Sequence, residues 1–172
     1  MRTFTTDCNQ SEIAFSVKHM KISTVDGKFA DFNATMKSSK KDFSDAKIEF
    51  ECKVNSINTK ITERDNHLKS EEFFFTEKYP TMKFKSVSMK KEADVYIING
   101  EMTIKDITRP LKLTGIHNIL ENNGENKKHE FELDGTLNRM DYNLKFNVMS
   151  GKGNSLISEE IKLKIHVQMI EQ

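Results

Sequence analysis

The sequence lacks several features that mark whole classes of protein. It has no tryptophan, two prolines and two cysteines in 172 residues, and 27 Lys and Arg stand against 26 Asp and Glu. The net charge of +1 gives no electrostatic reason to expect nucleic acid as a partner. No run approaches the roughly 18 apolar residues of a membrane helix, and the first residues lack the apolar core of a secretion signal. We therefore expect a cytoplasmic protein with no integral membrane segment.

The cysteines are too few for a disulfide framework. Cys8 and Cys52 also lack the paired spacing of a zinc site, so both are interpreted as free thiols. A single bridge between them stays open as an alternative. No linker, repeat or low-complexity segment divides the chain, and its length fits one domain, so we expect residues 1–172 to form a single domain.

The dominant hydrophobic period along the chain is two, which is typical of β-strands with one buried and one solvated face. The segments that show it include Ile13 to Val17, Ile48 to Val54, Met82 to Phe84, Phe131 to Gly135 and Ile161 to Met169. A further segment of this kind contains Phe29, Phe32, Ala34 and Met36. Its alternation slips once, between Phe29 and Phe32, which indicates a bulge or bend.

About eight antiparallel strands of this kind can stack as a sandwich or close as a barrel, and closure removes the exposed edges. The polar positions along the strands are mostly Lys and Glu, which no lipid-facing barrel surface tolerates. The sequence therefore predicts an all-β fold: an antiparallel β-barrel with its apolar face inside. A barrel of this size is either filled by its own side chains or able to hold one slender ligand.

One segment interrupts the alternation. Residues 62–79 are predicted to be helical, with Thr62 and Asp65 as a capping box and Ser70 as a second helix start. The fold prediction thus includes a short helical insertion between the central strands.

Turn residues separate the strands. Asp26-Gly27 and Glu92-Ala93-Asp94 are predicted to be turns. Asn99-Gly100 is compatible either with a hairpin or with one long kinked strand, and the sequence does not decide between them.

A series of motifs spans nearly the whole chain in a characteristic order. The most distinctive is Arg64-Asp65-Asn66-His67-Leu68 followed by Phe73-Phe74. Around it stand Ser11, Phe15, Val17, Lys18 and His19, then Gly27, Phe29 and Phe32, then Ser56 to Thr59, Tyr79-Pro80, Phe84 to Ser86, Gly100 to Ile104, Thr108 to Pro110 and Asn138 to Tyr142. This order resembles the YceI-like family, polyisoprenoid-binding proteins with an extended lipocalin-like barrel.

The resemblance implies a hydrophobic bore that takes the tail of an isoprenoid or similar lipid, a polar head near one end, and no catalysis or cofactor. Two residues depart from the family pattern: Phe4 replaces a usual Trp, and Asn143 replaces a frequent Gly. Asn is the best substitute for Gly if the backbone there is left-handed. Many relatives are periplasmic, so a cytosolic member would meet a different lipid pool.

Inward positions predict the wall of the bore. The candidate wall residues are Phe15, Val17, Phe29, Phe32, Ala34, Phe50, Phe84, Leu113 and Leu133. Ala34, Ala46, Ser86 and Gly135 are small residues at predicted inward positions, which would leave a channel. Each wall residue is equally compatible with a packed core.

Polar residues predict the head-group end. The candidates are His19, Arg64, Asp65, His67, Arg109 and Arg139. Arg64, Asp65 and His67 also invite an enzymatic interpretation, since an acid can orient an imidazole, but a nucleophile is missing from the motif. Their alternative role is structural, with Asp65 capping Thr62. The histidines show no metal-ligand spacing, and His117 and His166 are placed at solvated strand positions, so no metal site is predicted.

Three functions follow from these patterns. The favoured one is non-catalytic binding, transport or storage of a polyisoprenoid such as a prenyl phosphate or quinone. The alternatives are an enzyme that modifies such a lipid at the Arg64, Asp65 and His67 end, and a filled barrel that serves as a scaffold. A homodimer is plausible from the general habit of symmetric association alone.

Overall fold

The computed structural model describes residues 1–20, 22–120, 127–147 and 157–172. Within these residues the chain forms eleven β-strands and one α-helix, joined in places by short 3-10 turns. The elements are β1 (Arg2–Thr6), β2 (Glu12–His19), β3 (Ser23–Phe29), β4 (Phe32–Ser38), β5 (Lys47–Lys53), β6 (Ile57–Asn58), α1 (Thr62–Lys69), β7 (Thr81–Glu92), β8 (Val95–Ile104), β9 (Ile107–Leu120), β10 (Lys128–Asn138) and β11 (Ile157–Glu171).

Eight of these strands close a barrel. The sheet runs in the order β1-β4-β5-β7-β8-β9-β10-β11, and β11 pairs again with β1. All the pairings in this ring are antiparallel. Apolar side chains alternate inward along the strands, so closure turns them toward the interior of the barrel. The predicted antiparallel barrel with a short helical insertion is confirmed.

The barrel is extended by a flap of three strands on the edge of β11. The 15-residue β11 pairs with β1 near its C-terminal end, from Met169 to Glu171, and with β2 over Ile157 to His166. β3 and the two-residue β6 continue the sheet beyond β2. Since one edge of β11 serves two strands in succession, the flap rises above the closed ring and lengthens its interior wall.

The helical prediction was right only for its first half. α1 ends at Lys69, and Ser70 is extended, with φ −74° and ψ 170°. Ser70 therefore ends the helix and does not start a second one; its hydroxyl donates to the carbonyl of His67 at 2.5 Å. Residues beyond it form turns that bring Phe73 into the core, so burial of aromatic rings overrides the local helix signal.

The turn predictions were only partly right. Glu92-Ala93-Asp94 joins β7 to β8 as expected, and the slip between Phe29 and Phe32 is the bend between β3 and β4. Asp26-Gly27 is not a turn: both residues lie inside β3. Asn99-Gly100 lies within β8, which resolves the open alternative in favour of one strand; a register shift opposite it falls between Ser86 and Ser88.

The two departures from the family pattern fit their positions. Phe4 is fully buried and packs edge-on against Phe43 with 5.5 Å between ring centroids. Asn143 has φ 60° and ψ 26°, the left-handed conformation that Asn tolerates better than most residues. Among the residues that the structure describes, no helix has both the length and the apolar character needed to cross a membrane.

Candidate functional site

A cavity of about 490 Å³ opens inside the barrel on the side of α1. Its wall is built from the inner faces of the barrel strands and of the flap, with Leu68 of α1 and Phe73 and Phe74 of the following turns covering it. Within the described part of the chain, four polar side chains reach this wall: His19, Arg64, His67 and Arg139. A volume of this size lies in the usual range for a ligand pocket.

Eight of the nine predicted wall residues line the cavity: Phe15, Val17, Phe29, Ala34, Phe50, Phe84, Leu113 and Leu133. Phe32 does not. It is buried, but it borders a separate surface groove together with Cys8 and Ser11. Phe32 begins β4 directly after the bend that follows β3.

The space inside the barrel depends on glycines that the sequence reasoning did not single out for this role. A Cβ built on Gly27 would lie 2.3 Å from Cζ of Phe15, and one built on Gly100 would lie 2.4 Å from Cζ of Phe84. Each Phe ring thus occupies the place of a missing side chain, against the wall and not across the bore. Aromatic rings often pack over glycines of neighbouring strands. A Phe and a Gly at inward positions of neighbouring strands were therefore the signal that the sequence offered.

The small residues that were expected to leave the channel contribute unequally. Ala34 lines the cavity, but Ala46 is buried away from it. The hydroxyl of Ser86 accepts a hydrogen bond from the backbone N–H of Ile48 at 2.8 Å. The place of a side chain on Gly135 is filled by Leu113, 2.6 Å from a built Cβ. Of these four residues, Ala34 is the one that lines the cavity itself.

The polar end of the cavity is organised by Thr59, which is 3% exposed. Arg64 donates from Nε to the Thr59 hydroxyl at 2.8 Å and from Nη2 to the Thr59 carbonyl at 2.7 Å. Asp65 accepts from the backbone N–H of Thr59 at 2.9 Å and from its hydroxyl at 2.5 Å. The helix is thereby fastened to the strand before it, with the guanidinium of Arg64 held at the cavity.

Asp65 has a structural role that differs from the predicted one. The residue before α1 is Ile61, and no side chain caps this helix end, so the capping box between Thr62 and Asp65 does not form. The Asp65 carboxylate turns back to Thr59 and does not line the cavity. Thr59 offers it two donors at once, which a single hydrogen bond at the helix start cannot match.

His67 pairs with an acid outside the predicted motif. Its Nε2 contacts Oε2 of Glu72, and its ring packs edge-on against Phe73 at 5.1 Å and Phe146 at 4.6 Å between centroids. His19, at the end of β2, reaches the same cavity. The structure thus brings His19, Arg64 and His67 together at the polar end.

Arg139 also reaches the cavity wall, but its donors are occupied. It is 3% exposed and donates to the carbonyls of Ser158, Leu144 and Phe146, at 2.9, 2.5 and 2.9 Å. Further bonds run to Oδ1 of Asn147 and to the Ile157 carbonyl. Burial lowers the pKa of this guanidinium. Arg139 therefore holds the turn after β10 against the start of β11.

Arg109 lies on an exposed position of β9, and its side chain donates to the Thr108 carbonyl at 3.2 Å. It does not line the cavity. Of the six predicted head-group residues, the structure gathers His19, Arg64, His67 and Arg139 at the cavity and places Asp65 and Arg109 elsewhere.

The opposite end of the barrel is closed by an aromatic floor around two histidines. Nε2 of His117 lies 2.9 Å from Nδ1 of His129, and the rings are stacked with an interplanar angle of 14°. Phe4, Phe43 and Phe131 surround them. The prediction of a solvated His117 was wrong, because its ring points into this floor.

Burial keeps the two histidines of the aromatic floor in their neutral form near pH 7. It lowers the pKa of His117 to about 4, with the neighbouring His129 and Lys91 adding to the effect. The pKa of His129 is lowered as well, chiefly by burial. Two neutral imidazoles can share one hydrogen bond, whereas two imidazolium rings at this distance would repel each other.

A cluster of titratable side chains lies away from the cavity. Glu130, Glu132 and His166 meet across β10 and β11, with Nε2 of His166 2.5 Å from Oε1 of Glu130. Spacing along the chain could not show this group, because it forms only through strand pairing. Both cysteines are free; Cys8 is exposed, and burial raises the pKa of the Cys52 thiol to about 12.

A closed antiparallel barrel with a strand flap, a covering helix and an apolar interior cavity defines the extended lipocalin-like class of binding proteins. Residues 4–169 match the YceI-like domain. The chain belongs to the YceI-like family.

Sequence and structure neighbours agree with this assignment. The chain is 32% identical over 164 residues to the protein YceI of Salmonella newport, covering 93% of this chain and 81% of that protein. The crystal structure of the Campylobacter jejuni YCEI protein superimposes with a TM-score of 0.76 at 28% identity, covering 90% of each chain. A polyisoprenoid binding domain from Saccharophagus degradans, implicated in plant cell wall breakdown, superimposes with a TM-score of 0.70 at 11% identity, covering 96% of this chain and 97% of that one. At that identity the last comparison shows a shared fold.

Proposed function

We propose that this protein binds a long-chain amphiphile of the polyisoprenoid type, with the tail in the barrel cavity and the head at the α1 end. The observation that carries the proposal is the cavity wall, which is apolar except at the end where His19, Arg64 and His67 lie. Binding of polyisoprenoids by the Saccharophagus degradans domain with the same fold supports the choice of ligand class.

Burial of apolar surface suffices to hold such a tail. Each Å² removed from water contributes about 25 cal/mol, so a chain that fills the cavity needs few polar contacts. The wall offers hydrocarbon and aromatic groups along its length and, among the residues that the structure describes, no polar partner near the aromatic floor. Selection among tails therefore depends on length and width more than on chemistry.

The head group meets a positive guanidinium. Arg64 is held by Thr59, which leaves its Nη1 without an intramolecular hydrogen bond among the described residues. A phosphate or another hydrogen-bond acceptor would complete this site, because guanidinium binds oxyanions well. His67 is already paired with Glu72, and Arg139 with carbonyls, so Arg64 is the main candidate for head-group contact.

We further propose that the protein carries or stores the lipid without converting it. Asp65 bonds to Thr59 and not to His67, so the acid and imidazole of the motif do not form a catalytic pair. The contact of His67 with Glu72 is the one arrangement that favours the enzymatic alternative, since an acid beside an imidazole supports general-base chemistry.

Organic extraction of gently purified protein, followed by mass spectrometry, tests the proposal. We expect a lipid with one long apolar tail and an acceptor or anionic head. The same lipid should copurify unchanged with the His67→Ala variant if the protein is a carrier. A conversion product that disappears in His67→Ala would establish the enzyme, and an empty extract from every preparation would point to a filled barrel acting as a scaffold.

A further inference from the structure

The tip of the β2–β3 hairpin exposes apolar side chains that the core does not use. Ile22 is 92% exposed, more than any other large hydrophobic residue in the described part of the chain, and Met20 is 51% exposed. Two neighbouring exposed apolar residues at the end of a projecting hairpin are unfavourable in water unless they meet a partner.

This tip stands at the opening of the cavity. His19 immediately precedes Met20 and lines the cavity, as do Val17 and Val25 on the two strands of the hairpin. His19 pairs with Ile157, which lines the same end. The exposed apolar tip is thus continuous with the apolar interior through residues of its own hairpin.

A further exposed apolar residue stands just before the covering helix. Ile61 is 48% exposed and directly precedes α1, whose Arg64, His67 and Leu68 reach the cavity. In the described part of the chain, the flap and the start of α1 therefore both border the cavity and both carry exposed hydrophobic side chains.

The charge of the tip is of one sign. From Val17 to Val25 the sequence has two lysines and no Asp or Glu, although the whole chain has a net charge of only +1. Lys18 is exposed on the outer face of β2. Apolar side chains next to lysines suit the interface of a membrane that contains anionic lipids, where the former insert and the latter meet head groups.

We propose that the β2–β3 tip docks on the surface of an anionic lipid bilayer, with Met20 and Ile22 inserted shallowly and Lys18 at the head groups. The cavity opening then faces the layer from which a lipid enters, without exposing its tail to water. This inference rests on the proposed function, because a bilayer is the source of a ligand that is insoluble in water.

Vesicle flotation tests the docking. Full-length protein is floated with vesicles of phosphatidylcholine alone and with vesicles that contain phosphatidylglycerol. We expect binding to the anionic vesicles, a loss of about tenfold or more in the Met20→Ser/Ile22→Ser variant, and a loss of about fivefold in Lys18→Gln. Val87→Ser is the matched control, since Val87 is 73% exposed on β7, outside the hairpin and the cavity wall.

Three outcomes would overturn the proposal: no flotation of the parent protein with anionic vesicles, equal losses in the tip and Val87 variants, or a dimer in solution that the tip variant dissociates. The last would make the tip an interface between two copies of the chain. A fluorescent probe with a long alkyl tail, added without vesicles, tests lipid binding in the cavity separately from docking on a membrane. Failure of the parent to bind it contradicts the proposed function, whereas tip variants that bind it normally but no longer float support docking as a separate step.

Discussion

The ring of Phe15 occupies the place where a side chain of Gly27, its cross-strand partner, would lie. A Cβ on Gly27 would be 2.3 Å from Cζ of Phe15 and 3.0 Å from Cγ2 of Thr59. The glycine thus lets an aromatic residue line the cavity without filling it, and it leaves room for the threonine that holds Arg64.

Gly27→Ala is expected to push the Phe15 ring into the cavity. The new methyl group meets the far end of a side chain that can rotate, so the fold should survive with a loss of about 1–3 kcal/mol in the free energy of unfolding. The amount of copurified lipid should fall. Phe15→Leu in the Gly27→Ala background should restore at least half of it, and a double variant as empty as Gly27→Ala would contradict this role of the ring.

Ala34→Phe should block the cavity from another wall. Ala34 is 8% exposed and lines the bore on β4, so a ring there must project into the space that the tail would fill. We expect little or no lipid in organic extracts of this variant and a cooperative unfolding transition by circular dichroism. Ala14→Phe is the matched control, because Ala14 lies on the other face of β2 from Phe15 and Ile13. Equal lipid contents in the two variants would show that the bore has been assigned wrongly.

Arg139 should be important for stability and not only for the head group. Replacing it with Leu leaves one buried and three partly buried carbonyls without this donor, so we expect a loss of about 3 kcal/mol in urea unfolding. Arg139→Lys should recover only part of this, since one ammonium cannot reproduce the spread of the guanidinium donors. Arg109→Ala, at an exposed position, should change stability by less than about 0.5 kcal/mol. Similar effects at the two arginines would contradict the structural role of Arg139.

Low pH should lower the free energy of unfolding through His117 in the aromatic floor. The pKa of His117 is lowered to about 4 in the folded protein, against 6.5 as the ordinary value, so the unfolded chain binds its proton more readily between these values. The contribution of the neutral ring to stability is complete above pH 6.5 and is lost as the pH falls towards 4. His117→Gln can still hydrogen-bond to His129, as donor or as acceptor, but does not titrate. The urea midpoint of the variant should therefore fall less between pH 7 and 4.5 than that of the parent protein. The same fall in both proteins would show that His117 is not the source of the acid sensitivity.

The fold could be predicted from sequence because period-two alternation sets which face of each strand is buried, independently of its partner. Most of the cavity wall followed for the same reason. Ser70 and Asp26-Gly27 were misassigned because their local signals are outweighed by contacts far along the chain: Phe73 turns into the core, and Phe15 needs the glycine inside β3. The pairing of His117 with His129 was also out of reach, since it depends on the register between β9 and β10.

The polar end of the cavity shows the same limit of prediction from sequence. Arg64 and His67 of the motif both line the cavity, but their partners, Thr59 and Glu72, are fixed by the loop and turns around α1. Spacing along a helix shows which residues share a face. It does not show which group outside the helix offers the better hydrogen bonds.

Native mass spectrometry of the freshly purified protein tests the central claim most directly. We predict a population heavier than the polypeptide by the mass of one lipid molecule, which returns to the bare mass after delipidation and is reduced in Ala34→Phe. A single species at the bare polypeptide mass, both before delipidation and after incubation with excess polyisoprenoid, would contradict the account.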